Sequence, residues 1–259
     1  MKIYAVANQK GGVGKTTTSV NLSHALANLG HKTLLIDLDP QANATSALGV
    51  EAHVGASLYE VLQDKATVSS KIMPLANHLA IIPAEIDLAG SEVEIARLPN
   101  HLTRLREVLH HFRQVGDFEF CLIDCPPSVG ILMTNALAAS DGVIVPIQCE
   151  YFALEGLSKI IHLIEQIRQA VSLSNLRLEG ILMTMFDART RLSQQVVEDV
   201  KRYFPEKVFQ TIIPRSIRIA EAPSHGKSIF TYDPNGAGAK AYEQLAKEFL
   251  RRIDSKEEK

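Results

Sequence analysis

Three groups of residues in this 259-residue chain have the types and spacing that phosphate and magnesium chemistry needs. The first is Lys10-Gly11-Gly12-Val13-Gly14-Lys15-Thr16-Thr17, directly after the apolar run Ile3–Ala7. A glycine-rich turn between a strand and a helix start aims backbone N–H groups at one point, and the helix dipole favours an anion there. Lys15 is placed to reach the terminal phosphates of a nucleotide, and the Thr16 hydroxyl to coordinate Mg²⁺. The second group is Asp37 and Asp39, which end the run Leu34–Ile36 just ahead of Pro40, a residue that stops a strand. The third is Asp124, which ends Phe120–Ile123 in a Walker B arrangement suited to holding Mg²⁺ through its waters. Asp and Pro are ordinary turn residues after any strand, so each acidic end is ambiguous alone. Together with the glycine loop they are not. In phosphoryl transfer the protein mostly positions groups and neutralises charge. Asp39 is therefore expected to orient the attacking water, Lys10 and Lys15 to stabilise charge on the phosphoryl group, and Thr16, Asp37 and Asp124 to form the metal set.

These groups need a scaffold that brings several strand ends to one edge. Strand-like runs occur at Ile3–Ala7, Thr33–Ile36, Leu79–Ile82, Phe118–Ile123, Gly142–Ile147, Leu178–Thr184 and Lys207–Gln210. Helical stretches fall between them at Lys15–Leu29, Leu102–Gln114, Ile131–Ala139, Leu157–Val171, Arg191–Phe204 and Ala239–Ile253. This alternation predicts a single α/β domain over residues 1–254, with a mostly parallel twisted sheet, helices on both faces and a frayed tail at 255–259. Ligands of such sheets bind at the carboxyl ends of the strands, where the glycine loop and the aspartates stand.

Composition narrows the setting. Hydrophobic residues make up 46% and charged residues 22%, an ordinary soluble balance, and the net charge of −2 names no partner. Its distribution is uneven. Residues 1–176 hold 12 basic and 17 acidic side chains, while 177–259 hold 15 and 12, so the last third is mildly cationic. Cys121, Cys125 and Cys149 sit in apolar contexts at spacings unlike a metal pair, which predicts buried free thiols in a reducing cytosol. No apolar run approaches the length of a membrane span.

Position 9 carries Gln rather than the glycine of the general phosphate-loop pattern, and Lys10 follows it. That departure resembles the deviant loop K-G-G-x-x-K-[ST] of one branch of P-loop ATPases. From Lys2 to about Phe249 the chain resembles the ParA family of partitioning ATPases, in particular its short Soj-type members. The resemblance rests on Asn8–Thr17, Asp37–Thr45, Asp124–Ser128, Pro146–Gly156 and Glu221–Lys227. It implies an ATP- and Mg²⁺-dependent, slow and partner-stimulated ATPase. Members form a homodimer with ATP sandwiched between subunits, Lys10 reaching the phosphates of the other chain. The ATP dimer binds double-stranded DNA without sequence preference, and a ParB-like centromere-binding protein stimulates hydrolysis and release. Carried over by position, Lys10, Gly11, Gly12, Val13, Gly14, Lys15, Thr16 and Thr17 bind phosphate, Pro214 and Ser216 contact the adenine nucleoside, and Arg189 and Arg218 contact DNA. The resemblance implies a cytoplasmic, nucleoid-associated protein with no stable membrane association. The loop begins at residue 10, so the helix-turn-helix extension of longer plasmid members, and operator binding with it, are not expected.

Other classes share this loop. A MinD-like membrane-cycling ATPase needs a C-terminal amphipathic helix free of the domain. Here Tyr242, Leu245, Ala246, Phe249, Leu250 and Ile253 make a stripe that reads as core packing, and the residues after it are charged. An iron–sulfur carrier needs cysteines arranged to hold a cluster between subunits. An adaptor without turnover would not need both Asp39 and Asp124.

Overall fold

The computed structural model describes residues 1–51, 53–115, 117–171 and 176–257. Seven strands form its sheet: β1 (Lys2–Val6), β2 (Thr33–Asp37), β3 (Met73–Ala76), β4 (Leu79–Ile82), β5 (Phe120–Asp124), β6 (Gly142–Gln148) and β7 (Arg177–Thr184). Their order is β3-β4-β2-β5-β1-β6-β7, parallel throughout except for β3, which pairs antiparallel with β4 at one edge. The helices before β5 are α1 (Lys15–Asn28), α2 (Asn43–Ala47), α3 (Tyr59–Leu62), α4 (Leu88–Ile95) and α5 (Arg104–Val115). After β5 come α6 (Ile131–Ala139), α7 (Ala153–Ala170), α8 (Arg191–Tyr203), α9 (Ile217–Glu221), α10 (Ile229–Tyr232) and α11 (Ala237–Glu257).

Alternation along each strand sends neighbouring residues to opposite faces. Ile3, Ala5, Leu34, Ile36, Cys121 and Ile123 face a layer that includes Leu109 of α5, Ala136 of α6 and Ile160 of α7. Tyr4, Val6, Leu35 and Leu122 face the other layer, with Leu22 and Leu26 of α1 and Leu245 and Phe249 of α11. The C-terminal stripe is thus core, as expected: Tyr242, Leu245, Ala246, Phe249 and Ile253 are buried, and Leu250 packs against them. Phe249 meets the Tyr4 ring edge-on with centroids 4.8 Å apart.

Two expectations need correction. Lys207–Gln210 does not form an eighth strand. Val208 makes one parallel bridge to Ile181, and side chains of α11 take the Thr211 N–H that the next rung would use and the backbone groups on the outer edge. Glu248 accepts the N–H groups of Gln210 and Thr211, each at 2.8 Å, and Arg252 donates to the carbonyl of Val208 at 2.5 Å. The tail is not frayed from residue 255 either, since α11 continues through Ser255 to Glu257; residues 258 and 259 lie outside the described residues.

Candidate active site

The site is built where β1, β2 and β5 end side by side. In the parallel register Val6 and Asp37 both pair with Asp124, so two of the acidic strand ends are adjacent and the glycine loop leaves from the strand beside them. The loop turns on Gly12 (φ +73°) and Gly14 (φ +87°), a region costly for any residue with a Cβ. Buried Asn8 clamps its start, donating Nδ2–H to the carbonyl of Pro146 at 2.8 Å and accepting the N–H of Lys10 at 3.0 Å. Thr184 at the end of β7 stands 2.8 Å from the carbonyl of Val13 and fixes the far side. The first bond of α1 runs from the N–H of Thr18 to the carbonyl of Gly14. Among the described residues no backbone bond uses the N–H groups of residues 11–14, and those of 15–17 are the orphan donors of a helix start. That cradle suits an anion.

Lys15 is 8% exposed and donates to the carbonyl of Lys10 at 3.2 Å. Burial pushes its pKa down, while the charges of Asp124, Cys125 and Asp39 push it back up. Asp124 is fully buried; Ser19 donates to its Oδ1 at 2.8 Å, and its Oδ2 has no hydrogen-bond partner among the described residues. Burial, with the charge of Asp37 added, pushes its pKa well above the usual carboxylate range, and the Thr16 and Ser19 hydroxyls pull it back only in part. A buried, unpartnered carboxylate oxygen next to a phosphate cradle fits a cation. Asp37 is also buried and raised by burial, but its oxygens are engaged. Oδ2 accepts from the Thr45 N–H (2.8 Å) and hydroxyl (2.7 Å), and Oδ1 accepts the N–H of Asp39 at 3.2 Å. Oδ1, with a single donor, keeps a lone pair that a metal could use, while the two bonds of Oδ2 tie the start of α2 to β2. Asp39 accepts the N–H of Gln41 at 3.0 Å and lines the cleft.

That cleft, of about 400 Å³, is lined by Gly11, Gly12, Gly14, Lys15, Thr16 and Thr17 of the loop, together with Asp39, Asn43, Pro127 and Lys227. A second, more apolar cleft of about 310 Å³ adjoins it through Gly14, Thr17 and Met185. Pro214 and Ser216, expected at the nucleoside, line this second space with Ile213, Ile217 and Tyr242. A triphosphate and its base thus have adjoining spaces. Met185, at φ +51°, borders both and carried no signal in the sequence. Lys10 lies apart, with Nζ 3.3 Å from Glu150 Oε2. The three cysteines are buried free thiols, and burial raises the pKa of each.

Phosphate cradle, basic loop residue and buried acidic strand end on a mostly parallel sheet define a P-loop ATPase. Comparison with known proteins agrees. A family model described as an AAA domain matches residues 1–179. The chain is 50% identical to the sporulation initiation inhibitor protein Soj of Bacillus subtilis, over 95% of this chain and 97% of that one. It is 49% identical to the chromosome-partitioning ATPase Soj of Thermus thermophilus, over 96% and 95% of the two chains. A solved structure of cobyrinic acid a,c-diamide synthase from Mycobacterium smegmatis with bound ATP analogue and magnesium matches with TM-score 0.85 and 35% identity, covering 98% of this chain and 96% of that one. The chain belongs to the ParA/Soj family of chromosome-partitioning ATPases. Structures of that M. smegmatis protein hold ADP or an ATP analogue together with magnesium, the ligand pair that the cradle and the unpartnered Asp124 oxygen of this chain fit. Thr16 and Asp124 would hold the Mg²⁺, which would supply neutralisation of the charge that develops on the phosphates.

The raised carboxyls have a measurable consequence. A carboxyl whose pKa is raised keeps its proton to higher pH, and a cation favours the deprotonated form. Mg·ATP binding at neutral pH is therefore expected to release protons, and to tighten as pH rises through neutrality. Calorimetry in two buffers with different ionisation heats checks this. Identical heats in the two buffers would show that Asp124 and Asp37 are already ionised.

Proposed function

We propose that this ATPase partitions DNA as an ATP-switched dimer. Two ATP-bound subunits pair across the face that carries the glycine loop, and the pair holds double-stranded DNA through its phosphates. A ParB-like centromere-binding protein then stimulates hydrolysis and releases it. Identity of 44% and 49% over nearly the whole chain to two proteins named for chromosome partitioning carries this reading. The M. smegmatis structure shares the fold at TM-score 0.85, yet its name states a different reaction, so fold alone does not choose. Loop residues Gly11 and Gly12 are exposed and a Cβ on either meets nothing within 4 Å, which leaves room for a partner's backbone. In the dimer Lys10 exchanges Glu150 for the phosphates bound by the other subunit, and Asp39 orients the attacking water.

DNA contact is assigned to the segments after β7. Phe186 bridges to Pro214, and the N–H of Arg215 donates to the carbonyl of Phe186 at 2.9 Å, so the stretches carrying Arg189 and Arg218 run together. Both arginines are exposed, at 87% and 63% of the side chain. Each rests on a nearby carboxylate, Arg189 on Asp187 at 2.7 Å and Arg218 on Glu221 at 3.3 Å. Exposed pairs of this kind are worth little, and a DNA phosphate displaces them readily. Neither arginine lies on a helix shaped to read bases, so binding is independent of sequence. Pairing two subunits doubles the contacts and makes DNA binding depend on ATP. A nucleoid location follows from this reading. The membrane-cycling alternative is not favoured, because the apolar stripe of α11 is spent in the core and no described helix is long and apolar enough to cross a membrane.

Arg218→Ala is expected to keep ATPase activity and dimerisation while losing most DNA affinity. Its plot of log affinity against log salt should be shallower by about one phosphate contact per subunit. Wild-type affinity across a salt series would remove Arg218 from the interface.

A further inference from the structure

The phosphate cleft holds a cation for which the loop motif gives no role. Lys227 lines it with Lys15, Thr16 and Asp39, although it stands near the other end of the chain. Its backbone is pinned on both sides. Before it, Gly226 (φ +62°) presses on Gly49 (φ +69°) at the end of α2, so closely that a Cβ on Gly226 would lie 2.8 Å from the Gly49 Cα. After it, the Ser228 hydroxyl lies 2.8 Å from Nδ1 of buried His24, and the N–H of Ile229 donates to Asn21 Oδ1 at 2.8 Å. His24 and Asn21 belong to α1, the helix that follows the phosphate cradle. Asn21 also donates to the carbonyl of Thr17 at 2.8 Å, one helical turn nearer the cradle. Residue 227 is therefore held rigidly against the phosphate helix.

Its ammonium makes no ion pair or side-chain hydrogen bond among the described residues, in a chain whose other cations near the site are engaged. Among the residues lining the cleft, the basic side chains are Lys15 and Lys227, set against the carboxylate of Asp39. Lys10 does not line it. Within a single subunit, before a partner's loop arrives, a triphosphate still carries excess negative charge with one Mg²⁺ bound, more than Lys15 alone balances. A long, flexible stem ending in a point charge suits the remaining oxygens.

We propose that Lys227 is a further nucleotide-binding residue, its ammonium contacting the phosphate chain of bound ATP. The inference rests on the ATPase activity and is independent of the DNA-binding reading.

Two substitutions test it: Lys227→Met, which keeps the stem and removes the charge, and Lys227→Arg, which keeps the charge. The probes are Mg²⁺ with the non-hydrolysable analogue AMPPNP, titrated by calorimetry, and AMP, measured by competition. Lys227→Met should weaken AMPPNP roughly tenfold or more, the worth of one charge-assisted hydrogen bond, and leave AMP within about twofold. Lys227→Arg should recover most of the loss, and the thermal midpoint without nucleotide should not move. Unchanged AMPPNP affinity in Lys227→Met overturns the proposal. So does an equal loss for both nucleotides, or a loss that Lys227→Arg does not reverse, since either assigns the residue to packing.

Discussion

Lys15→Ala is expected to lose nucleotide binding by a factor of about 100 or more. The buried ammonium is the cation closest to the cradle, held against the carbonyl of Lys10 at the point where the glycine loop enters α1. Charge-assisted hydrogen bonds in a desolvated site are worth about 1.5–3 kcal/mol each, and this ammonium makes more than one to a triphosphate. Removing it also leaves Asp124 and Asp39 without their nearest counter-charge, which adds repulsion toward the incoming phosphates. Titration with a fluorescent ATP analogue checks this. Affinity within about threefold of wild type would contradict the loop assignment.

Asp39→Ala should separate binding from turnover. Asp39 lines the phosphate cleft, and its carboxylate makes no contact that holds the loop; the one bond that carboxylate accepts stabilises the turn at Gln41. Orienting a water matters in the transition state far more than in the ground state, so the loss falls on kcat. Hydrolysis should drop about 100-fold or more while ATP affinity is kept. An ATP-bound dimer should then accumulate in size-exclusion chromatography. Unchanged turnover, or a variant that stays monomeric with ATP, would take Asp39 out of this role.

The sequence made the strand-loop-helix core legible because local signals there agree with the global fold. β4 at Leu79–Ile82 and α6 at Ile131–Ala139 stand where apolar runs and helix patterns place them. Lys207–Gln210 misled for the opposite reason. Its apolar content suits a strand, but Glu248 and Arg252, some 40 residues on, satisfy its backbone, and no local pattern announces them. The edge strand β3 carries Pro74, which weakens a strand signal. Short α4 falls in a stretch without clear helical periodicity. In the site, Lys15, Thr16 and Asp124 were readable from spacing alone. Met185 and Lys227 were not, since each reaches the clefts through tertiary packing of a distant segment. Asp37 shows a further limit: the strand-end pattern marks the carboxylate but not that Thr45 takes both acceptor sites of its Oδ2 and leaves Oδ1 with the Asp39 N–H alone.

The central claim is that nucleotide state governs a sequence-independent grip on DNA. Binding of the wild-type protein to random-sequence duplex, compared with Mg²⁺ and AMPPNP, with Mg²⁺ and ADP, and without nucleotide, tests it most directly. The account predicts binding with AMPPNP that is indifferent to sequence and falls linearly on a log–log plot with salt, and much weaker binding in the other two states. Equal retention of DNA in all three states, or none with AMPPNP, would contradict it.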